Sequence, residues 1–232
     1  MGGNEAPDAA KRRALYGRSK GKALRVHHAE LVRELLPRLE VDAKGLAAPA
    51  ALFPFAPREI HLEIGFGGGE HLAARAREAP GVGFIGCEPF VNGVAKLLAT
   101  IETDGLTNLR LRMGDAMALV GALPAASLTR IYLLYPDPWP KRRQHKRRLV
   151  SPESVALFAR ALKPGGELRF ATDIDDYAGW TLKRLLGSPE FRWRAEAADD
   201  WRLPWPGWSP TRYEAKARAE GRGSAYLTFE RK

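Results

Sequence analysis

Four carboxylates stand where this chain could do chemistry. Glu63, Glu88, Asp115 and Asp137 each lie at or near the end of a short apolar run: EIHLEI, VGFIGC, LRLRMG and IYLLYP. Acids delivered by successive strands to one sheet edge are more specific than any one of them, because open α/β sheets bind ligands along that edge. Asp137 sits between Pro136 and Pro138, which end a strand because neither has an N–H to donate. Trp139 follows, and the stretch Lys141–Arg148 then carries six Lys or Arg in eight positions. A lone acid beside an aromatic ring and a dense basic run suggests chemistry on a flat, polyanionic substrate. The plainer alternative is a buried strand followed by a solvated charged loop.

A second group surrounds Glu63. Gly65, Gly67 and Gly69 form a GxGxG turn, which lets the backbone bend sharply and touch a ligand without a Cβ in the way. The dinucleotide fingerprint requires Gly or Ala at the next position, which is Glu70 here. The turn therefore suits a nucleoside cofactor without a pyrophosphate. Glu88, roughly 20 residues on, stands where ribose hydroxyls are held.

The elements that must position these residues alternate. Ile60–Ile64, Val82–Glu88, 108–113, Ile131–Tyr135 and 167–172 read as strands, each followed by a helical spacing. Ser151 and Pro152 are expected at N-cap and N1 of one helix, which Lys163–Pro164–Gly165–Gly166 should end. Asp175–Leu186 reads as a further helix, with final strands at 191–196 and 225–230. Before residue 58 we expect a basic arm, then an amphipathic helix from about Leu24 to Leu39, then a Pro-rich linker over 42–57. His27, His28 and His71 read as helix surface and Cys87 as a small core residue. The Trp-rich segment 201–208 has no evident role.

Composition narrows the class. The chain has 232 residues, a net charge of +10 and one cysteine. The cysteine count excludes an intramolecular disulfide framework and fits a reducing cytoplasm. No targeting or membrane-spanning segment is legible. Residues 11–38 hold nine basic and two acidic side chains, residues 59–137 six and nine. A basic arm and loop flanking an acidic middle resemble a nucleic-acid footprint.

EIGFGGG (63–69), Glu88, Asp115, YPDPWPKRRQHKRRL (135–149), LKPGGELRFATD (162–173) and TRYE (211–214) together resemble the bacterial tRNA (guanine-N7-)-methyltransferase family, over roughly residues 15–230. The PDPWPK…KRR segment is the specific part, with a departure at Arg143-Gln144-His145. The resemblance implies an α/β, Rossmann-like class I S-adenosyl-L-methionine-dependent methyltransferase fold. Its seven-stranded, mostly parallel sheet would carry helices on both faces. Residues 1–57 would be arm, helix and linker, and 58–232 the methyltransferase domain. Carried over by motif, Glu63, Gly65, Gly67, Gly69, Glu88, Asp115 and Asp137 would bind S-adenosyl-L-methionine. Glu63 would lie near the methionine end, Glu88 at the ribose and Asp115 on the adenine side. Asp137 would be the catalytic residue, and Lys141, Asp173, Thr211, Arg212, Tyr213 and Glu214 would contact substrate. Arg142, Arg143, Lys146, Arg147 and Arg148 would hold RNA. The implied partner is tRNA, methylated at the variable-loop guanosine of position 46, with S-adenosyl-L-homocysteine as product. No metal, membrane or obligate protein partner is expected. Two rivals are methylation of an exocyclic base amine, which favours a different Pro-Pro-aromatic order, and a non-catalytic RNA-binding module on the same fold.

Overall fold

Burial on both faces, anticipated from the short apolar runs, is what the chain achieves. The computed structural model describes residues 21–208 and 210–232, so residues 11–20 of the expected basic arm lie outside the described residues. The strands are β1 (Glu59–Ile64), β2 (Val82–Cys87), β3 (Leu109–Arg112), β4 (Leu128–Leu134), β5 (Leu162–Thr172), β6 (Phe191–Trp193) and β7 (Ala225–Arg231). They form one seven-stranded sheet in the order β3-β2-β1-β4-β5-β7-β6. All pairs are parallel except those made by β7, which runs antiparallel to both β5 and β6. The strand order reverses between β1 and β4, which creates a crevice at their carboxyl ends.

The helices are α1 (Val26–Glu34), α2 (Leu36–Leu39), α3 (Ala43–Leu46), α4 (Glu70–Glu78), α5 (Val91–Asp104), α6 (Ala116–Ala122), α7 (Pro152–Ala161), α8 (Asp175–Leu186), α9 (Asp199–Arg202) and α10 (Arg212–Ala219). Side chains alternate across the strands. Ile131, Leu133, Leu168, Phe170, Leu227 and Phe229 turn to one face, packed with Val155 and Phe158 of α7 and Tyr177 and Leu185 of α8. On the other, Phe84, Leu109 and Leu111 lie with Leu72 of α4 and Val94, Leu97 and Leu98 of α5. Further along that face Tyr132, Leu134, Ala171 and Tyr226 pack under Trp205 and Trp208.

Ser151 caps α7 in a reciprocal capping box with Ser154, and Pro152 opens the helix, as the sequence predicts. Three local expectations need correction. The helix expected from Leu24 to Leu39 divides at Leu35, because Pro37 has no N–H for the helical ladder. The strand expected at 167–172 begins instead at Leu162, and Lys163–Gly166 belongs to it. In this outer part of β5 the register with β4 shifts between Leu128 and Arg130 and Gly165 takes a positive φ of +78°. The segment 42–57 does not behave as a linker. Asp42 caps α3, Pro49 starts a short 3-10 helix, and Leu46 and Phe53 are buried in the core. Val41 N–H donates to Leu111 O at 2.8 Å, covering the open edge of β3.

Candidate active site

The glycine turn is built as its composition requires. Gly65, Gly67 and Gly69 have φ of +74°, +57° and +80°, values that side chains with a Cβ rarely adopt. Gly69 is the left-handed N-cap of α4. A Cβ on Gly93 of α5 would collide with Gly67 O, so the helix seats directly on the turn. Glu88, at the end of β2, is almost wholly buried. Its Oε2 accepts from Gly67 N–H at 2.8 Å and its Oε1 from Phe90 N–H at 2.9 Å. The carboxylate thus occupies a backbone donor that a dinucleotide fold offers to phosphate, which explains why an acid at position 70 is tolerated.

Glu63 points to the same sheet face as Tyr132, with which it is in register. It is buried, and its Oε2 lies 2.7 Å from Nδ1 of His71. His71 is therefore interior, a correction to its reading as helix surface. The first turn of α4 folds back over the end of β1 and brings residues eight apart into contact. Asp115 caps α6, its Oδ1 accepting from Met117 N–H at 2.9 Å, and is half-buried at the end of β3.

Asp137 follows β4 in a constrained turn. Tyr135 and Trp139 on either side have φ of +49° and +44°. Such conformations cost bulky residues about 1–3 kcal/mol each and tend to gather at functional sites. Tyr135 is tied down by its N–H to Ala171 O at 2.7 Å and its hydroxyl to Ser224 Oγ at 2.9 Å. Asp137 itself is open to solvent and has no hydrogen-bond or ion-pair partner among the described residues. The surrounding chain still desolvates it enough to raise its pKa above the ordinary carboxylate value. An unpaired, desolvated acid held in a strained turn at the switch point has the properties of a functional group.

Beyond it, residues Arg142–Arg147 form a 3-10 helix. Lys141, Arg142, Arg143 and Lys146 are exposed, and the Arg147 guanidinium lies 4.9 Å from the centre of the Trp139 ring. Arg148 departs from the expectation that it holds RNA. It is 1 % exposed, donates through Nε to Pro138 O at 2.8 Å and pairs with Asp176 of α8. Its guanidinium also lies over the Tyr177 and Trp180 rings. It braces the Pro-Asp-Pro turn from inside and cannot reach a phosphate.

The segment 211–214 also divides. Thr211 is the N-cap of α10, accepting from Glu214 N–H at 3.2 Å. Glu214 is 0 % exposed, so its expected contact with substrate is corrected to an internal one. Its Oε2 accepts from Trp208 Nε1–H at 2.5 Å and its Oε1 from Tyr226 O–H at 2.8 Å. Tyr213 is exposed, and the side chain of Arg212 lies outside the described residues. Asp173, past the end of β5, accepts from Arg222 at 2.8 Å. The sequence reading gave no site role to His71, Trp208, Tyr226 or Arg222. Only the concentration of tryptophan in 201–208 marked any of them.

A Cβ added at Gly65 or Gly114 would meet nothing within 4 Å, so open space adjoins the ends of β1 and β3. Open space beside acids at the strand ends suits a ligand with hydroxyls and a cationic group.

Sheet order, glycine turn and the acids at the switch point define the class I methyltransferase arrangement. A family model described as a putative methyltransferase matches residues 57–227. The chain is 56% identical over 221 residues to the tRNA (guanine-N(7)-)-methyltransferase of Bradyrhizobium diazoefficiens, covering 94% of each. A relative of the same name from Rhodopseudomonas palustris is 56% identical over 98% of this chain and 92% of its own. The chain belongs to the tRNA (guanine-N(7)-)-methyltransferase family. Among solved structures it resembles TrmN from Thermus thermophilus, with a TM-score of 0.53 at 17% identity over 82% of this chain and 48% of that one. It also resembles the cyclase SpnF, with a TM-score of 0.52 at 15% identity over 82% and 80%. These two likenesses concern the fold alone, and a cyclase among them shows that the site has to carry the functional argument.

Proposed function

We propose that this chain methylates N7 of a guanine in tRNA, at the variable-loop guanosine of position 46, using S-adenosyl-L-methionine in the cytoplasm. The observation that carries the reading is Asp137, unpaired and desolvated in the turn between the acids of β1–β3 and the exposed cations of 141–147. When bound, S-adenosyl-L-methionine supplies the methyl group on a sulfonium. Glu88 holds its ribose hydroxyls, Glu63 its methionine ammonium and Asp115 the adenine side. Lys141, Arg142, Arg143, Lys146 and Arg147 hold phosphates. Tyr213, Arg212 and Asp173 flank the substrate, while Thr211 and Glu214 support them from α10.

Guanine N7 offers a free in-plane lone pair, so its methylation removes no proton and needs no general base. A methyl group accepted there would leave positive charge on the purine, balanced by the loss of the donor's sulfonium charge. Asp137 serves as a fixed anion that orients the guanine edge and stabilises that charge. Methylation of an exocyclic amine would instead have to shed a proton. A tRNA carrying 7-deazaguanine at the target separates the two. It should bind and remain unmethylated in single turnover, and methyl transfer to it would overturn the N7 assignment. A chain that failed to bind S-adenosyl-L-methionine in a calorimetric titration would be the non-catalytic RNA binder instead.

A further inference from the structure

The buried His71 and the Trp-rich stretch take no part in the mechanism above, yet they meet at its edge. The imidazole packs against the Tyr132 ring at 4.8 Å and the Trp208 ring at 5.3 Å between centroids. Trp208 is held in turn by its hydrogen bond to Glu214, which Tyr226 and Arg218 also engage. Trp205 lies edge-on to Trp208 at 5.1 Å and to Tyr226 at 5.6 Å. The result is an aromatic wall behind one carboxylate, Glu63. A carboxylate only accepts, so His71 Nδ1 carries the proton and donates across the 2.7 Å contact to Oε2. Nε2 is buried without a hydrogen-bond partner, so the ring makes its polar contact on the Glu63 side alone. No hydrogen bond to Glu63 Oε1 exists among the described residues.

We infer that His71 is a positioning residue for the cofactor: it pins one oxygen of Glu63 and aims the other at the ligand's ammonium, while Trp208, anchored on Glu214, keeps the imidazole in place. The inference rests on the reading of Glu63 as the acid at the methionine end. A free Glu63 would have to lose its rotamer freedom on binding, whereas a pinned one meets the ligand already oriented. The Trp-rich stretch and the buried Glu214 thereby acquire a role in cofactor binding. His71 does not touch the reacting atoms, so its loss should raise KM for the cofactor and spare kcat.

The test compares four substitutions in the full chain, with S-adenosyl-L-methionine affinity measured by calorimetry and methyl transfer followed in single turnover. His71→Leu should weaken cofactor binding about tenfold, the effect of losing one hydrogen bond to a charged group. Its rate at saturating cofactor should stay within about twofold of wild type, with tRNA affinity unchanged. His71→Asn places an amide N–H near the position of Nδ1 and should restore binding. His71→Gln carries its amide one carbon further and should not. Wild-type cofactor affinity in His71→Leu overturns the inference. Should that variant fail to fold, equal affinities in the Asn and Gln variants overturn it. Glu63→Ala distinguishes the two levels of failure. If it loses the cofactor while His71→Leu does not, only the role of His71 falls. If it binds as wild type does, the assignment of Glu63 falls and this inference with it.

Discussion

At the scale of single residues, Asp137 and Glu88 are both acids at strand ends but are held in opposite ways. Glu88 is buried and satisfied by two backbone donors, whereas Asp137 has none. Asp137→Asn keeps the shape and removes the charge, and should lower the single-turnover rate on the order of 10²–10³-fold, as for other preorganised electrostatic groups. The same change should stabilise the free enzyme. Partial desolvation by the surrounding chain raises the pKa of Asp137, so the folded chain binds that proton more tightly than the unfolded one and loses stability as pH rises through the carboxylate range. The variant should therefore melt above wild type at about pH 7, with the gap closing below about pH 4, where both states are protonated. A melting point that does not depend on this substitution at neutral pH would contradict the desolvation argument. Glu88→Ala should weaken S-adenosyl-L-methionine binding by about ten- to a hundredfold, since hydrogen bonds to a charged group contribute roughly 1.5–3 kcal/mol. It should also lower the melting temperature, because Gly67 and Phe90 N–H lose their acceptor. Calorimetry showing unaltered affinity would reduce Glu88 to a brace for the turn.

At the scale of elements, the run 141–148 separates into a surface and a brace. Arg142, Arg143 and Lys146 lie exposed on the 3-10 helix, while Arg148 closes against Pro138 and α8. Replacing the three exposed residues with Ala should leave the melting temperature unchanged. It should weaken tRNA binding and flatten its dependence on log salt by about one unit for each residue that touched a phosphate. Arg148→Ala should do the reverse, costing about 2–4 kcal/mol of folding stability through lost packing and hydrogen bonds. Its salt slope should remain that of wild type. An Arg148 variant of normal stability with a shallower slope would restore that residue to the RNA surface.

At the scale of the whole molecule, the segment before the glycine turn is part of the fold. Leu31, Leu36, Leu39, Val41, Leu46 and Phe53 are all buried, the first three with α4 and α5 and the others against the sheet. Each contributes about 1.5–3 kcal/mol by leaving water, and together they rival the about 5–15 kcal/mol that separates folded from unfolded states. A chain beginning at residue 58 should lack a cooperative urea transition followed by circular dichroism. A sharp transition at the full-length midpoint would make residues 21–57 dispensable. Among the described residues no helix is long and apolar enough to cross a membrane.

The individual strands and the positions of Glu63, Glu88, Asp115 and Asp137 at or just past their ends were legible in the sequence. Each depends on short-range signals: an apolar run buried on both faces, a glycine turn or prolines to end it, and an acid within a few residues of that end. What those acids face was not legible, because it depends on chain segments brought together only by folding. Glu63 meets His71 because α4 turns back over β1, and His71 meets Trp208 because α10 fixes the loop through Glu214. In a run of six cations, composition cannot choose the one that turns inward. Asp176, 28 residues after Arg148 and carried on α8, makes that choice. The Pro-rich segment 42–57 reads as a linker because its turn residues are local. It is held down instead by Leu46 and Phe53, whose burial depends on β2, β3 and α6 being in place. Local propensity decided which elements form, and the tertiary contacts decided which polar groups remain free to act.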